Sequence, residues 1–565
     1  MKQRNTKMSL MKEEPWIEEN GDKTPEIKSA NSSSFSINNN NRKTTSFEYI
    51  VSKVPVLAEV EKSMAHPMPK IFKWVMGAVV LLIPVICYTL SSFIEEGALI
   101  FPLSAIIIPS YILGVPLIYF SYKYKGASTY VRKTGICILM TVVFTYYTLY
   151  LPLYLMYFIQ PFYSKQEPLK SGSTSTETNI KEEEFKDYSS GHWIITFAFL
   201  YLHLCVLIQF CLLSQCKMRS RIYRYLVSYP ASVFFTSVVV SLPLYFILPF
   251  LPAIVSSVIM TLPLMVALVG LYCTLITRPP NQWAVKEICL RTNKEDDEDM
   301  LISKKKVTRI TCKSPKDHEI VDYKQPLSII QITDVHLGPI MSVERLNEIC
   351  ENAVKLNPDL VFLTGDFFTT ESFYPPDAFK RAIAPLRKLN GRVFAIMGNH
   401  DYEDGCQDLL NSGLQSINAP LLIDQAVLVD TRIGKVQIVG FDYRSKNRQE
   451  HIQQVCQAYP IMGNVPRIGL LHDPGAFKFV PLDEQMMVFS GHTHGGGIGL
   501  HWPFKINVSA VALTGMPDHG LFQNGSNYLY VNAGQGTRSF MGSMLLRVGN
   551  ISEDTLYQVY FENSK

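Results

Sequence analysis

The chain has 565 residues, a formal net charge of +4 and 18% charged residues. That length excludes a single core and calls for two or more domains. The charge deficit against the usual ~25% of soluble domains is confined to one half, which excludes a uniformly soluble chain. The small net charge decides nothing by itself about acidic partners, and no nucleic-acid partner is expected.

Residues 1–68 are polar, rich in Ser and Asn over 31–45, with no apolar run near Met1. A disordered tail without a signal peptide is expected there. Residues 69–278 read as a transmembrane domain. Apolar runs near 72–93, 98–120, 135–158, 193–213, 232–250 and 254–276 contain no Asp, Glu, Lys or Arg except Lys73 at the first edge. Each has about the 20 residues that cross a hydrocarbon core. Six helices are expected. Pro243, Pro249, Pro252 and Pro263 leave a five-helix alternative, in which 232–276 is one span plus a re-entrant segment.

Loop charges orient the spans. Lys123, Lys125, Arg132 and Lys133 lie between the second and third, and Lys217, Arg219, Arg221 and Arg224 between the fourth and fifth. Glu95 and Glu96 lie in an alternate loop. Both termini are therefore expected in the cytosol. Against this stand three glycosylation sequons, at Asn507, Asn524 and Asn550, and an odd span count would reverse the side. His203 is the one ionisable residue in mid-span, so nothing marks an ion path. The eleven cysteines are scattered with no CxxC pair, which reads as free thiols.

Residues 279–304 form a charged linker: Pro279 and Pro280 stop the last run, 293–300 is acidic, and lysines follow. Such lysines suit anionic headgroups. From 305 to 562 strand-like and helix-like runs alternate. Strands are expected at 307–311, 327–333, 359–364, 393–397, 436–440, 467–471, 486–490 and 528–532, and helices at 343–356 and 378–389. Alternation of this kind predicts an α/β domain, and the strands after 420 predict a second sheet.

Within this domain a set of candidate metal ligands follows the strands. Asp334 follows LSIIQIT, Asp366 follows DLVFLTG, Asn399 follows RVFAIMG, His472 follows RIGLL and His492 follows QMMVFSG. Each is at the carboxyl end of a strand, the edge where open α/β sheets bind ligands. The 334–366 and 366–399 intervals match the roughly 30 residues of a strand–helix–strand unit. His336 and His494 lie two residues after Asp334 and His492, the same side of an extended segment. Carboxylate, imidazole and amide oxygen without thiolate suit Mn, Fe or Zn. One carboxylate can bridge two ions about 3.5–4 Å apart. Two divalent ions, two aspartates and a bridging hydroxide leave a net positive charge, which attracts a phosphate ester.

The blocks DVH, GDF, GNHD, LHDP and GHTHGG resemble, as an ordered set, the calcineurin-like metallophosphoesterase superfamily. GNHDYEDG, LLHDPGAF, GHTHGGGIGL and YVNAGQGTRS look most like its membrane-associated branch, transmembrane proteins with a metallophosphoesterase domain. The resemblance covers roughly 305–562 and implies a two-sheet β sandwich flanked by helices. It implies that Asp334, His336 and His494 hold one metal and Asn399, His472 and His492 the other, with Asp366 bridging. It also implies that His400 contacts the phosphate or protonates the leaving oxygen. Gly497 stands where this branch often has Gln, which puts a substrate contact in doubt but no ligand. Arg538, with Gly534 and Gly536, is a candidate for the substrate edge.

The expected function is a membrane-anchored, dinuclear-metal phosphoesterase, a phosphodiesterase by resemblance, in which a metal-bound hydroxide attacks phosphorus. Its expected partners are the bilayer and a phosphoester, lipid or membrane-proximal. The alternative is a membrane scaffold or receptor whose phosphoesterase fold only binds. Complete retention of the ligand set disfavours it.

Overall fold

In this computed structural model the described residues are 8–10, 217–241, 253–290, 307–312 and 325–562, with scattered positions between 198 and 251 and omissions at 404, 445, 502, 507 and 538–545. Most of the expected tail, the first three expected spans and most of the fourth lie outside them.

Thirteen strands are described: β1 (Met8–Leu10), β2 (Ala284–Leu290), β3 (Thr308–Ile310), β4 (Leu327–Ile332), β5 (Leu360–Leu363), β6 (Val393–Ala395), β7 (Gln425–Thr431), β8 (Gly434–Gly440), β9 (Arg467–Leu470), β10 (Met486–Ser490), β11 (Gly520–Asn524), β12 (Asn527–Val531) and β13 (Thr555–Phe561). They form two sheets, ordered β2-β13-β4-β5-β6 and β1-β7-β8-β9-β10-β12-β11-β3. The helices named here are α1 (Tyr229–Ser241), α2 (Ala253–Leu275), α3 (Val343–Leu356), α4 (Ala378–Ile383), α5 (Cys406–Ser416) and α6 (Arg448–Ala458).

The period of two in the strands builds the layers. In β5, Leu360 and Phe362 join the core between the sheets, while Val361 and Leu363 join the core under α3, α4 and α5. β6 divides the same way, with Phe394 inward and Val393 and Ala395 outward. In β10, Met487 and Phe489 face the first sheet, while Met486 and Val488 pack with Ile452, Val455 and Cys456 of α6. The result is helix, sheet, sheet, helix. Both faces of these strands are covered, which is why they read as unbroken apolar runs. The Ser342 side chain caps α3 by accepting from the Arg345 N–H, and Asn357 ends it at φ 48°.

Direction matters most for function. β4, β5 and β6 are mutually parallel, and so are β8, β9, β10 and β12. The carboxyl ends of each set therefore share one edge. The two edges are tied together by the buried Gln331, whose amide donates to Thr364 Oγ1 at 2.8 Å and to the Ser490 carbonyl at 2.9 Å.

Five described strands lie where none was expected: β1, β2, β7, β11 and β13. β2 falls in the stretch read as linker, and pairs in parallel with β13 over seven residues. β13 is itself inserted between β2 and β4, antiparallel to β4. Within the polar tail, β1 pairs with β7.

α2 coincides with the sixth expected span and contains Pro263. Among the described residues no helix is long and apolar enough to cross a membrane. The helix pair instead shows a firm contact with the α/β domain. The Leu546 N–H donates to Thr236 Oγ1 of α1 at 2.9 Å, and the Arg547 N–H to Thr274 Oγ1 of α2 at 3.2 Å. Val233, Ala267, Ile340 and Leu546 close the apolar part of this joint. A β-carbon on Gly270 of α2 would stand 2.6 Å from the Arg547 carbonyl, so glycine sets how near the two segments come. None of the seven described cysteines is in a disulfide.

Candidate metal centre

The turns after β4, β5 and β10 carry the candidate ligands in an unusual backbone. Asp334, His336, Asp366, His492 and His494 all have positive φ, between 44° and 71°. Left-handed backbone is costly for such residues and persists where surrounding bonds impose it. Those bonds are present: Asp334 N–H to the Gly365 carbonyl, His336 N–H to the Asp366 carbonyl and Gly491 N–H to the His472 carbonyl. Thus Asp334 and His336 meet through a left-handed turn, not through the alternation of an extended segment as the spacing suggested.

Two groups result. Asp334, His336 and His494 bring one ligand atom each to within 4.8 Å of one another, and so do Asp366, His472 and His492. Asp366 joins the groups: its Oδ2 lies 3.6 Å from His336 Nε2 and 3.3 Å from His472 Nε2. Asp334 Oδ1 is 3.8 Å from His494 Nε2. The His336 and His494 Nε2 atoms face each other at 3.2 Å.

The orientation of each side chain is fixed from behind. His472 Nδ1 contacts the Thr364 carbonyl at 2.7 Å, which makes Nδ1 the donor and leaves the Nε2 lone pair for the site. Asp334 accepts from the Thr333 hydroxyl and from the His492 N–H. Asp366 Oδ1 accepts from the His400 N–H at 2.9 Å. Glycine makes room: a β-carbon on Gly491 would lie 2.1 Å from Asp334 Oδ2.

Do these residues fit metal? Among the described residues, Asn399 Oδ1 and His492 Nδ1 are buried polar atoms without a hydrogen-bond partner, and His472 Nε2 meets only the Asp366 carboxylate. Buried polar atoms without partners are costly, and a cation would satisfy them. The charges agree. Burial, helped by Asp366, pushes the Asp334 carboxyl up to about 6. Burial alone would lower His472, but Asp366 and Asp334 outweigh it and raise it to about 10. The field that would hold a proton on His472 also holds a cation. The two clusters suit a dinuclear divalent-metal centre.

His400 is not in either group. Its ring centroid is 5.6 Å from that of His336, and its Nδ1 contacts Glu403 Oε1 at 2.7 Å. Arg538 lies outside the described residues.

The family model for calcineurin-like phosphoesterases matches residues 327–496, the segment that carries both groups. This domain belongs to the calcineurin-like metallophosphoesterase superfamily. Among curated relatives, an uncharacterized metallophosphoesterase of Helicobacter pylori is 29% identical over 37% of this chain and 54% of its own. The phosphodiesterase YaeI of Escherichia coli is 25% identical over 31% of this chain and 63% of its own. The UDP-2,3-diacylglucosamine pyrophosphatase LpxG of Chlamydia trachomatis is 26% identical over 41% of this chain and 83% of its own. The chain spans about half the length of the first curated relatives it matches.

Several residues behind the ligands support the metallophosphoesterase centre. Asp401 is fully buried and accepts from the N–H groups of Asp366, Phe367 and Gly398, binding the second ligand turn to the third. Burial, then Asp366, pushes its carboxyl up to about 7. Glu403, three residues after His400, holds that ring. Arg547 is buried and donates to the carbonyls of His494 at 3.2 Å, Ala533 at 2.7 Å and Gly534 at 2.9 Å, and to that of Gly536. The Gly536 N–H in turn donates to the Asp334 carbonyl. Asp401 and Glu403 were visible as acidic neighbours of GNH. Arg547 was not, because its partners are carbonyls.

Proposed function

We propose that this chain is a membrane-anchored, dinuclear-metal phosphoesterase with a cytosolic catalytic domain, selective for diesters over monoesters. The observation that carries the reading is the pair of ligand groups joined at Asp366. In this reading Asp334, His336 and His494 hold one ion, and Asn399, His472 and His492 the other. Asp366 bridges.

Two divalent ions there would supply an activated water and neutralise charge building on the phosphoryl oxygens. The chain's own residues do the rest. Glu403 engages His400 Nδ1, which leaves Nε2 to hand a proton to the departing ester oxygen. Asp401 keeps the second and third ligand turns in register. Arg538, from the sequence pattern, would meet the substrate.

Anchoring rests on the apolar runs, on the positive loops and on the docking of α1 and α2 against the domain. The cytosolic side draws support from two of the sequons. Asn524 and Asn550 are each 3% exposed, positions that could not carry a glycan in the folded domain. Placement beside a bilayer favours membrane-proximal phosphoesters. The Chlamydia relative is named for a diacylated substrate, and an amphiphilic ester suits this chain too. Retention of the whole ligand set in the sequence disfavours the binding-only alternative.

The test uses the full-length protein in detergent with Mn2+, on bis-p-nitrophenyl phosphate and on the monoester. Metal-dependent turnover that prefers the diester, and that Asp366→Asn abolishes, is the expected result. No turnover on either ester would put the binding-only reading ahead. Protease protection in sealed vesicles tests the side.

A further inference from the structure

Directly after the His492-Thr493-His494 ligand segment the chain leaves the core as an apolar loop. From Ile498 to Met516 the only Asp, Glu, Lys or Arg is Lys505. Leu500, Phe504, Ile506 and Val508 are exposed on a hairpin held by Leu500 N–H to Val508 O and Ala510 N–H to Ile498 O bonds, and Leu513 follows on a single 3-10 turn. Phe504 is 66% and Leu513 82% exposed. Clustered apolar exposure of this kind marks an interaction surface rather than ordinary surface.

The loop's position says what covers it. Its base, Ile498, pairs with Val548. The residue before Val548, Arg547, is bonded to Thr274 in the last turn of α2, and Leu546 to Thr236 of α1. The loop therefore springs one strand spacing, about 4.8 Å, from the segment that grips the helix pair. α2 itself exposes Val258, Leu262, Met265, Val269 and Tyr272. An apolar loop with one cation, beside the exit of an apolar helix, has the make-up of an interfacial insertion.

We infer that residues 500–513 form a second, interfacial contact with the bilayer, dipping Phe504 and Leu513 into the headgroup–acyl boundary with Lys505 among anionic headgroups. This rests on the anchoring proposed above and is independent of catalysis. With it, the chain holds the bilayer at two points on either side of the 546–548 segment, and the metal-ligand turn at 492–494 lies at the root of one of them.

The test places p-benzoylphenylalanine at Phe504, at Leu513 and, as the control, at Lys435 of the β7–β8 hairpin. The full-length protein is reconstituted in phosphatidylcholine–phosphatidylserine vesicles and irradiated. Lipid adducts at 504 and 513, with none at 435, are expected. Adducts to this chain or to a second copy, in place of lipid, would overturn the inference, and so would the absence of any adduct. Retention of the protein after alkaline carbonate extraction reads anchoring separately. Retention without lipid adducts defeats the loop contact alone, and adducts without retention defeat the anchor alone. Loss of both defeats both.

Discussion

Asp366 meets both ligand groups with one carboxylate, so what holds that carboxylate still matters as much as the ligands. Asp401 does this through three backbone N–H groups. Asp401→Asn replaces one acceptor oxygen with a donor facing a donor. It should lower metal affinity by roughly 10–100-fold, the usual cost of losing such an orienting partner. Metal titration of the purified full-length variant checks this. The proton-donor role proposed for His400 has a sharper signature than lost activity. His400→Ala should cost on the order of 10²–10⁴ in turnover for a diester with a poor leaving group. The loss should be much smaller for p-nitrophenolate, which departs unprotonated. Equal losses on both would remove His400 from proton transfer.

At the scale of elements, the domain's first sheet is fastened by an ion pair. Lys286 of β2 bonds Glu553 at 2.6 Å, and Glu553 also accepts from Tyr530 of β12 and from the Ala533 N–H. Burial by itself would push the Glu553 carboxyl up, but Lys286, Tyr530 and Ala533 outweigh it and hold it at about 2. A depressed folded-state value stabilises above the unfolded value of about 4.5 and is lost as pH falls toward 2. Glu553→Gln should therefore cost roughly 3 kcal/mol near neutrality, and the difference from wild type should shrink below about pH 4. Thermal melts across pH measure it. This pair was not legible in the sequence, and neither were the strands it joins. β4, β5, β6, β9 and β10 announce themselves because both faces are buried, and the ligands stand out because they follow those runs. β2 reads AVKEICL and β13 reads TLYQVYF. Lys286 and Glu287 interrupt the apolar run of β2, and a pairing across some 270 positions of chain leaves no local mark. The left-handed turns that gather the ligands are equally silent, since long-range backbone bonds impose them.

For the whole molecule, the catalytic domain is not a bead on a string. Its sheet begins at Ala284, inside the stretch that composition presents as linker. A fragment starting at 300 should be less stable than one starting at 279, and should expose the flank of β13 to aggregation. Comparison of soluble yield and melting temperature decides this. Above that level Arg547 is the joint. Its N–H is bonded to α2, and its guanidinium holds the turn of His494 and the carbonyls behind Asp334. Helix and metal turn are thus opposite ends of one rigid link barely a residue long. On the anchoring proposed above, a bilayer whose thickness does not match the apolar length of α2 would tilt or shift the helix at modest cost, and that displacement would arrive at a ligand without slack to absorb it. Lipid thickness would then act as a mechanical input to the catalytic rate. Turnover in vesicles of increasing acyl length should pass through an optimum, and Thr274→Val, which cuts the bond at the helix end, should flatten it.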